Sequence, residues 1–201
     1  MNFLAHLVLA GGDENLRLGA MLGDFVRGRD ALEGFEPEVR RGIMLHRRID
    51  ACTDSLPEVA ALLEWLQPPF RRYGGIIVDL AFDHQLALRW NEFSDVSLPD
   101  FDRAVREMLA RHRRVLPERL TGFMRYADRR GLFAAYREES EILHSLRGVG
   151  RRLSRDNPLH RVSEIWSGFE PRVSAGFEPV FRAVQSDVSA WLKSKSTITG
   201  S

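Results

Sequence analysis

Apolar residues recur at three- and four-residue intervals along nearly the whole chain, and stretches of strict apolar/polar alternation are hard to find. A helix turns once in 3.6 residues, so this spacing gathers apolar side chains on one face, whereas a half-buried strand needs a period of two. The pattern predicts an all-α protein, a helical bundle with no sheet. The 201 residues suffice for one sizeable core without crosslinks, and the expected organisation is one domain over residues 1–193 followed by a short polar tail, 194–201. Hydrophobic residues at 44% and charged residues at 28% exclude a disordered or membrane-embedded chain.

Punctuation residues divide this pattern into elements. A first helical stretch runs from about Leu16 to Val26 and ends at Arg27-Gly28. Pro37-Glu38 opens a second, because proline is tolerated in the first turn and acids favour the positive end of a helix. That helix stops near Asp54-Ser55, which then cap a third from Pro57 to about Leu66. Gln67-Pro68-Pro69 is a break, and a strongly apolar segment follows from Phe70 to about Trp90, with Gly74-Gly75 allowing a kink or a close contact. Further helices are expected from Leu98, capped by Ser97, to about Val115; from Pro117 to near Gly131; from Phe133 to Leu146; from Pro158 to Trp166; and from about Pro171 to Leu192. Gly148 to Asn157 reads as a connection.

Ionisable residues inside this apolar framework carry the chemistry. His46 and Asp50 are four apart on the second helix and so share a face, within about 6 Å, near enough to hold one cation. Asp54 continues that line. The segment Ile76 to His84 places Asp79, Asp83 and His84 inside one of the most apolar stretches of the chain, and buried charge is costly unless paired or metal-bound. Asp24 is again a lone carboxylate among small and apolar residues, with pairing to Arg27 or Arg29 as its ordinary reading, and His6 lies in the apolar N-terminal run, where a core role is the ordinary one. Taken separately, each has such a structural explanation. Together they point to a metal site built from inward-facing carboxylates and imidazoles of packed helices.

Other chemistries find less support. The lone Cys52 is out of phase with the His46/Asp50 face and is read as structural, and a reducing cytoplasm is the expected compartment. No G-x-x-x-x-G-K-[ST] phosphate loop occurs, and Trp65, Trp90, Trp166 and Trp191 are read as core residues and not as a base-stacking platform. His112, His144 and His160 have no acidic neighbour at a telling spacing and receive no role. The apolar N-terminal run lacks a basic leader and is too short to span a bilayer, so no membrane is expected as partner, and without a stacking platform or a basic tail no nucleic acid is expected either. The net charge of +1 is uninformative, but its carriers are almost all arginine, in doublets such as Arg47-Arg48 and Arg71-Arg72 spread along the chain.

Four blocks, Met1-Asn2-Phe3-Leu4-Ala5-His6-Leu7, Gly23-Asp24-Phe25-Val26-Arg27-Gly28, Gly42 to Asp50 with Thr53-Asp54, and Asp79 to His84, closely resemble the bacterial acyl carrier protein phosphodiesterase family over about the first ninety residues. That family is in turn distantly similar to the all-helical HD-domain phosphohydrolases, although the contiguous doublet here is reversed, Asp83-His84. The resemblance implies hydrolysis of the phosphodiester joining 4′-phosphopantetheine to a serine of acyl carrier protein, releasing apo-carrier protein, within lipid metabolism. It implies a divalent metal, manganese foremost, with magnesium or iron as alternatives.

On this reading Asp24, His46, Asp50, Asp83 and His84 form the ligand and catalytic set, with His6, Asp54 and Asp79 in support. Arg27, Arg47 or Arg48 would hold the phosphate by the bidentate contacts a guanidinium allows. Arg71 and Arg72, on the helix that also carries the Asp-His doublet, would receive the acidic carrier. Two alternatives remain: a metal-dependent hydrolase of nucleotides or other small phosphoesters, and a non-catalytic helical module that binds an acidic partner. The oligomeric state is left open.

Overall fold

A computed structural model of the chain describes residues 1–28, 30–118, 120–122 and 133–196. Within them it is an all-α single-domain fold of eight α-helices joined by loops and short 3-10 turns, with no strand. The helices are α1 (Phe3–Leu9), α2 (Glu14–Leu22), α3 (Pro37–Asp54), α4 (Pro57–Trp65), α5 (Gly74–Leu88), α6 (Leu98–Arg111), α7 (Glu139–Arg152) and α8 (Trp166–Ser196). No described helix is long and apolar enough to cross a membrane.

Local chemistry sets many of the boundaries. Asp13 caps α2 by accepting a hydrogen bond from the Leu16 N–H at 2.8 Å, and Ser97 caps α6 through the Asp100 N–H, as its sequence foretells. Proline occupies the first turn of α3, α4 and α6. The expected cap of α4 is corrected: Leu56 stands at that position with no side-chain bond, and Ser55 instead closes α3. α2 ends at Leu22, four residues short of expectation, because Gly23 to Phe25 form a turn. Gly74 starts α5 instead of kinking it. The segment 133–146 begins as a 3-10 turn before α7, which runs on to Arg152 and narrows the connection that follows. Residues 158–164 form a 3-10 turn. The expected helix from Pro117 to Gly131 lies largely outside the described residues, as does the expected tail 194–201 beyond Ser196, where α8 ends.

Two helices carry the architecture. α5 buries residues on every side and is the central element, packing on α1, α4, α7 and α8. α8 begins before Pro171 and runs through both Pro171 and Pro179, each of which removes a helix N–H. The stripe Phe169, Val173, Phe177, Val180, Phe181, Val184 and Val188 is fully buried, and at about 1.5–3 kcal/mol for each large apolar side chain this burial outweighs the proline penalties. Phe177 of this stripe meets Phe82 of α5, with ring centroids 6.1 Å apart.

The closest helix pair is α2 with α3. A Cβ on Gly19 would collide with the Val39 carbonyl and the Gly42 Cα, and one on Gly42 with the Leu16 carbonyl. Only glycine at both positions lets the two backbones touch.

Candidate metal centre

That backbone contact brings the end of α2 against His46. Its Nδ1 lies 2.8 Å from the Ala20 carbonyl oxygen, so the nitrogen donates there and the ring is held from behind. Gly23 sits flat on the other edge, where any Cβ would overlap the imidazole. The Nε2 atom then faces two carboxylates, Asp50 Oδ2 at 3.2 Å and Asp24 Oδ1 at 3.4 Å. The first contact is the four-residue pair on α3. The second crosses from the turn after α2, which Arg47 fastens to α3 by donating to the carbonyls of Val26 at 2.9 Å and Gly28 at 3.2 Å.

His6 enters from α1. Its ring stacks on His46 with centroids 3.9 Å apart, and its Nε2 lies 3.1 Å from Asp50 Oδ1 and 2.9 Å from the Met1 carbonyl. One ligand-type atom from each of His6, His46 and Asp50 falls within 4.8 Å of the others, and Asp24 borders this trio through His46. Both imidazoles are buried, whereas the side chains of Asp50 and Asp24 are 41% and 57% exposed, so the cluster opens to solvent on its carboxylate side.

Charge in the cluster is distributed unevenly. Burial disfavours a charged His46, but hydrogen bonds and attraction from Asp24 and Asp50 outweigh it and raise the ring to about 9. Asp24 is held below the ordinary carboxylate range, chiefly by its bond to His46. Asp50 is held well below it too, because bonds from His46 and His6 overcome its burial. His6 is shifted down by burial and by the neighbouring His46, only partly offset by Asp50.

A divalent ion fits this group by its donor chemistry. Two imidazoles and two carboxylates converge, and no arginine or lysine among the described residues bonds to Asp24 or Asp50. The buried Nδ1 of His6 has no hydrogen-bond partner. Carboxylate oxygens mixed with imidazole suit manganese, magnesium or iron, and the Nδ1–H bond to Ala20 is the kind of outer contact that leaves Nε2 free to ligate.

The remaining expected site residues lie elsewhere. Asp83 is fully buried beneath α1, accepting hydrogen bonds from the N–H groups of Leu4 at 2.8 Å and Ala5 at 3.2 Å. Asn2, at the usual capping position, makes no such bond, so Asp83 caps α1 from a different helix and thereby seats His6. His84 points its Nδ1 to the Tyr136 carbonyl at 2.6 Å and packs on Trp166; it does not join the cluster. Adjacent residues on a helix diverge by about 100°, and here that angle sends Asp83 towards α1 and His84 towards residues 134–137. Asp79 binds the Met1 amino group at 2.7 Å, and Asp54 is exposed, its carboxyl shifted up by partial burial and by Asp79.

Among the arginines, Arg48 is engaged by Asp187 and Arg47 by the two carbonyls, while Arg27, just beyond the turn of Asp24, is exposed and makes no ion pair with a described residue. Arg71 and Arg72 are exposed on the 3-10 turn ahead of α5. His112, given no partner by its local sequence, meets Glu14 at 3.0 Å across a separation of 98 residues. His6 was legible only as a supporting residue: nothing local distinguishes it from a core histidine, and the N-terminal block of the family resemblance was its one signal. The Ala20 carbonyl has no sequence signal at all.

Comparison with known proteins finds that residues 1–184 match the family model described as acyl carrier protein phosphodiesterase. A protein of that name from Enterobacter sp. (strain 638) is 35% identical over 176 residues, 87% of this chain and 89% of the relative. One from Escherichia coli O6:H1 is 38% identical over the same coverage. No solved structure matches.

Proposed function

The chain belongs to the acyl carrier protein phosphodiesterase family, and from that premise we propose that it hydrolyses the phosphodiester between 4′-phosphopantetheine and a serine of acyl carrier protein, using a divalent metal, manganese foremost. The single observation that carries the metal part is the convergence of His6 from α1 with the His46/Asp50 pair of α3, with Asp24 of the turn after α2 at its edge. These four residues would hold the ion. When bound, such an ion neutralises charge on phosphoryl oxygens and acidifies water.

The protein's own contribution is arrangement. Ala20 and Gly23 fix the His46 ring so that Nε2 faces the open, carboxylate side of the cluster. Arg47 locks the turn that positions Asp24. Arg27, just beyond that turn and without an ion-pair partner among the described residues, is the guanidinium available to take phosphate oxygens, whereas Arg47 and Arg48 are already engaged. Asp83 acts behind α1, holding His6 in register.

The test is to incubate the purified protein with holo-carrier protein and manganese and to weigh the products. Loss of the phosphopantetheine mass, abolished by chelation and by Asp50→Ala, is the expected result. Undiminished turnover by a folded Asp50→Ala protein would remove the cluster from the mechanism.

A further inference from the structure

Six arginines, Arg71, Arg72, Arg147, Arg151, Arg152 and Arg155, are exposed, and none has an ion-pair partner among the described residues. The structure gathers them from two parts of the chain. Asn157 ties the loop after α7 back onto that helix, its Nδ2 donating to the carbonyls of Gly150 at 2.9 Å and Arg155 at 3.0 Å. Tyr73 then joins the loop to the turn before α5, donating its hydroxyl to the Asp156 carbonyl at 3.1 Å. Asp156 is the one acid within this stretch, against six guanidinium groups. Cations at a helix C-terminus are ordinarily explained by the helix dipole, which accounts for Arg151 and Arg152 but not for Arg71 and Arg72 on a separate element. Elsewhere several exposed arginines are neutralised, Arg48 by Asp187, Arg111 by Glu14 and Arg161 by Glu164, as is the half-buried Arg89 by Glu92 and Glu178.

We infer that this arginine face is where the acidic carrier protein docks, an assignment that rests on the carrier being the substrate. Its position suits that role. From Arg72 in the turn before α5, a partly exposed edge runs through Gly75 and Ile76 to the half-exposed Asp79, a rise of about 10 Å. Asp79 touches Met1, whose carbonyl touches His6. A folded partner of roughly 100 residues has a radius of gyration of about 13 Å, so a partner seated on the arginine face reaches Asp79 and extends towards the cluster. Guanidinium groups with no carboxylate partner among the described residues keep more of their field, so they steer an acidic protein and set its orientation. Leu153, exposed among them, supplies an apolar contact at the middle of the face.

The test measures affinity independently of turnover, by calorimetric titration of holo-carrier protein into the intact protein at low salt. Replacing Arg147, Arg151 and Arg152 together by serine is expected to weaken binding by at least about tenfold and to flatten its salt dependence, with a melting temperature lowered only slightly by the loss of the two helix-end cations. The control Arg113→Ser/Arg114→Ser, an exposed doublet at the end of α6, retains wild-type affinity. Equal loss in both variants, no loss in the triple variant, or no binding to wild type would overturn the assignment. So would binding of phosphatidylglycerol vesicles or of a single-stranded oligonucleotide that the triple variant loses while its carrier affinity stays intact. A wild-type protein that binds the carrier without cleaving it leaves this surface standing and sinks the proposed activity. Cleavage with an affinity indifferent to the three arginines does the reverse.

Discussion

Replacement of Asp83 separates two roles that the sequence leaves entangled, ligand and brace. Its carboxylate satisfies two buried backbone N–H groups at the start of α1. Asp83→Ala strands both, at about 1–3 kcal/mol each, so a loss of about 2–6 kcal/mol is expected. Burial, opposed by those N–H groups and by the nearby amino terminus, pushes the carboxyl up to about 7. An acid whose folded value is raised keeps in the folded state a proton that the unfolded chain releases, so stability falls as pH climbs from about 4 to 7, and the cost is complete above 7. Between pH 5 and pH 8 this amounts to about 2–3 kcal/mol. Asp83→Asn does not titrate and accepts from only one of the two N–H groups. It should therefore match wild type or fall only slightly below it at pH 5, where the wild-type carboxyl is itself protonated, and overtake it at pH 8. Urea midpoints followed by far-UV circular dichroism at the two pH values measure both quantities, and comparing the two proteins cancels every other titrating group. An Asp83→Ala protein that loses less than about 1 kcal/mol yet no longer takes up manganese would refute the brace and return Asp83 to the ligand set.

Two further outcomes follow from the cluster and its supporting helices. Without metal, His46 is raised to about 9, so its contribution to stability is full below about 6.5 and is lost as pH rises through 9. His46→Gln should lack that decline, and manganese uptake by wild type at pH 7 should release about one proton from the ring, read by calorimetry in buffers of different ionisation enthalpy; uptake without proton release would count against His46 as a ligand. Gly42→Ala forces a methyl group against the Leu16 carbonyl and the Gly19 Cα and is expected to cost about 2–3 kcal/mol, together with weaker manganese binding. Gly75→Ala, with open space around it, should be neutral or stabilising; equal thermal shifts for the two would contradict the close α2–α3 contact.

The sequence by itself determined the class of fold and much of its segmentation. The 3.6-residue period, proline in first turns and the Ser97 cap place α3, α4 and α6 close to where they stand, because these signals act within a few residues of chain. The same locality made His46 with Asp50 legible, since four residues on a helix define a distance without knowledge of any other element. Helix limits failed where distant packing prevails. α8 passes through two prolines because its aromatic stripe is buried in the core, and α2 stops early at the turn that carries Asp24.

Only the tertiary structure decided which polar residues meet. Asp24 reaches His46 because Gly19 and Gly42 let two helices touch, and His6 joins because Asp83, some 79 residues away in sequence, caps the helix that bears it. Buried and ionisable describes Asp83, His84, His6 and His46 equally well in a linear reading. What separates a brace from a ligand is the direction of a side chain and the group it finds there, and that depends on helix crossings whose geometry is set by packing over the whole core.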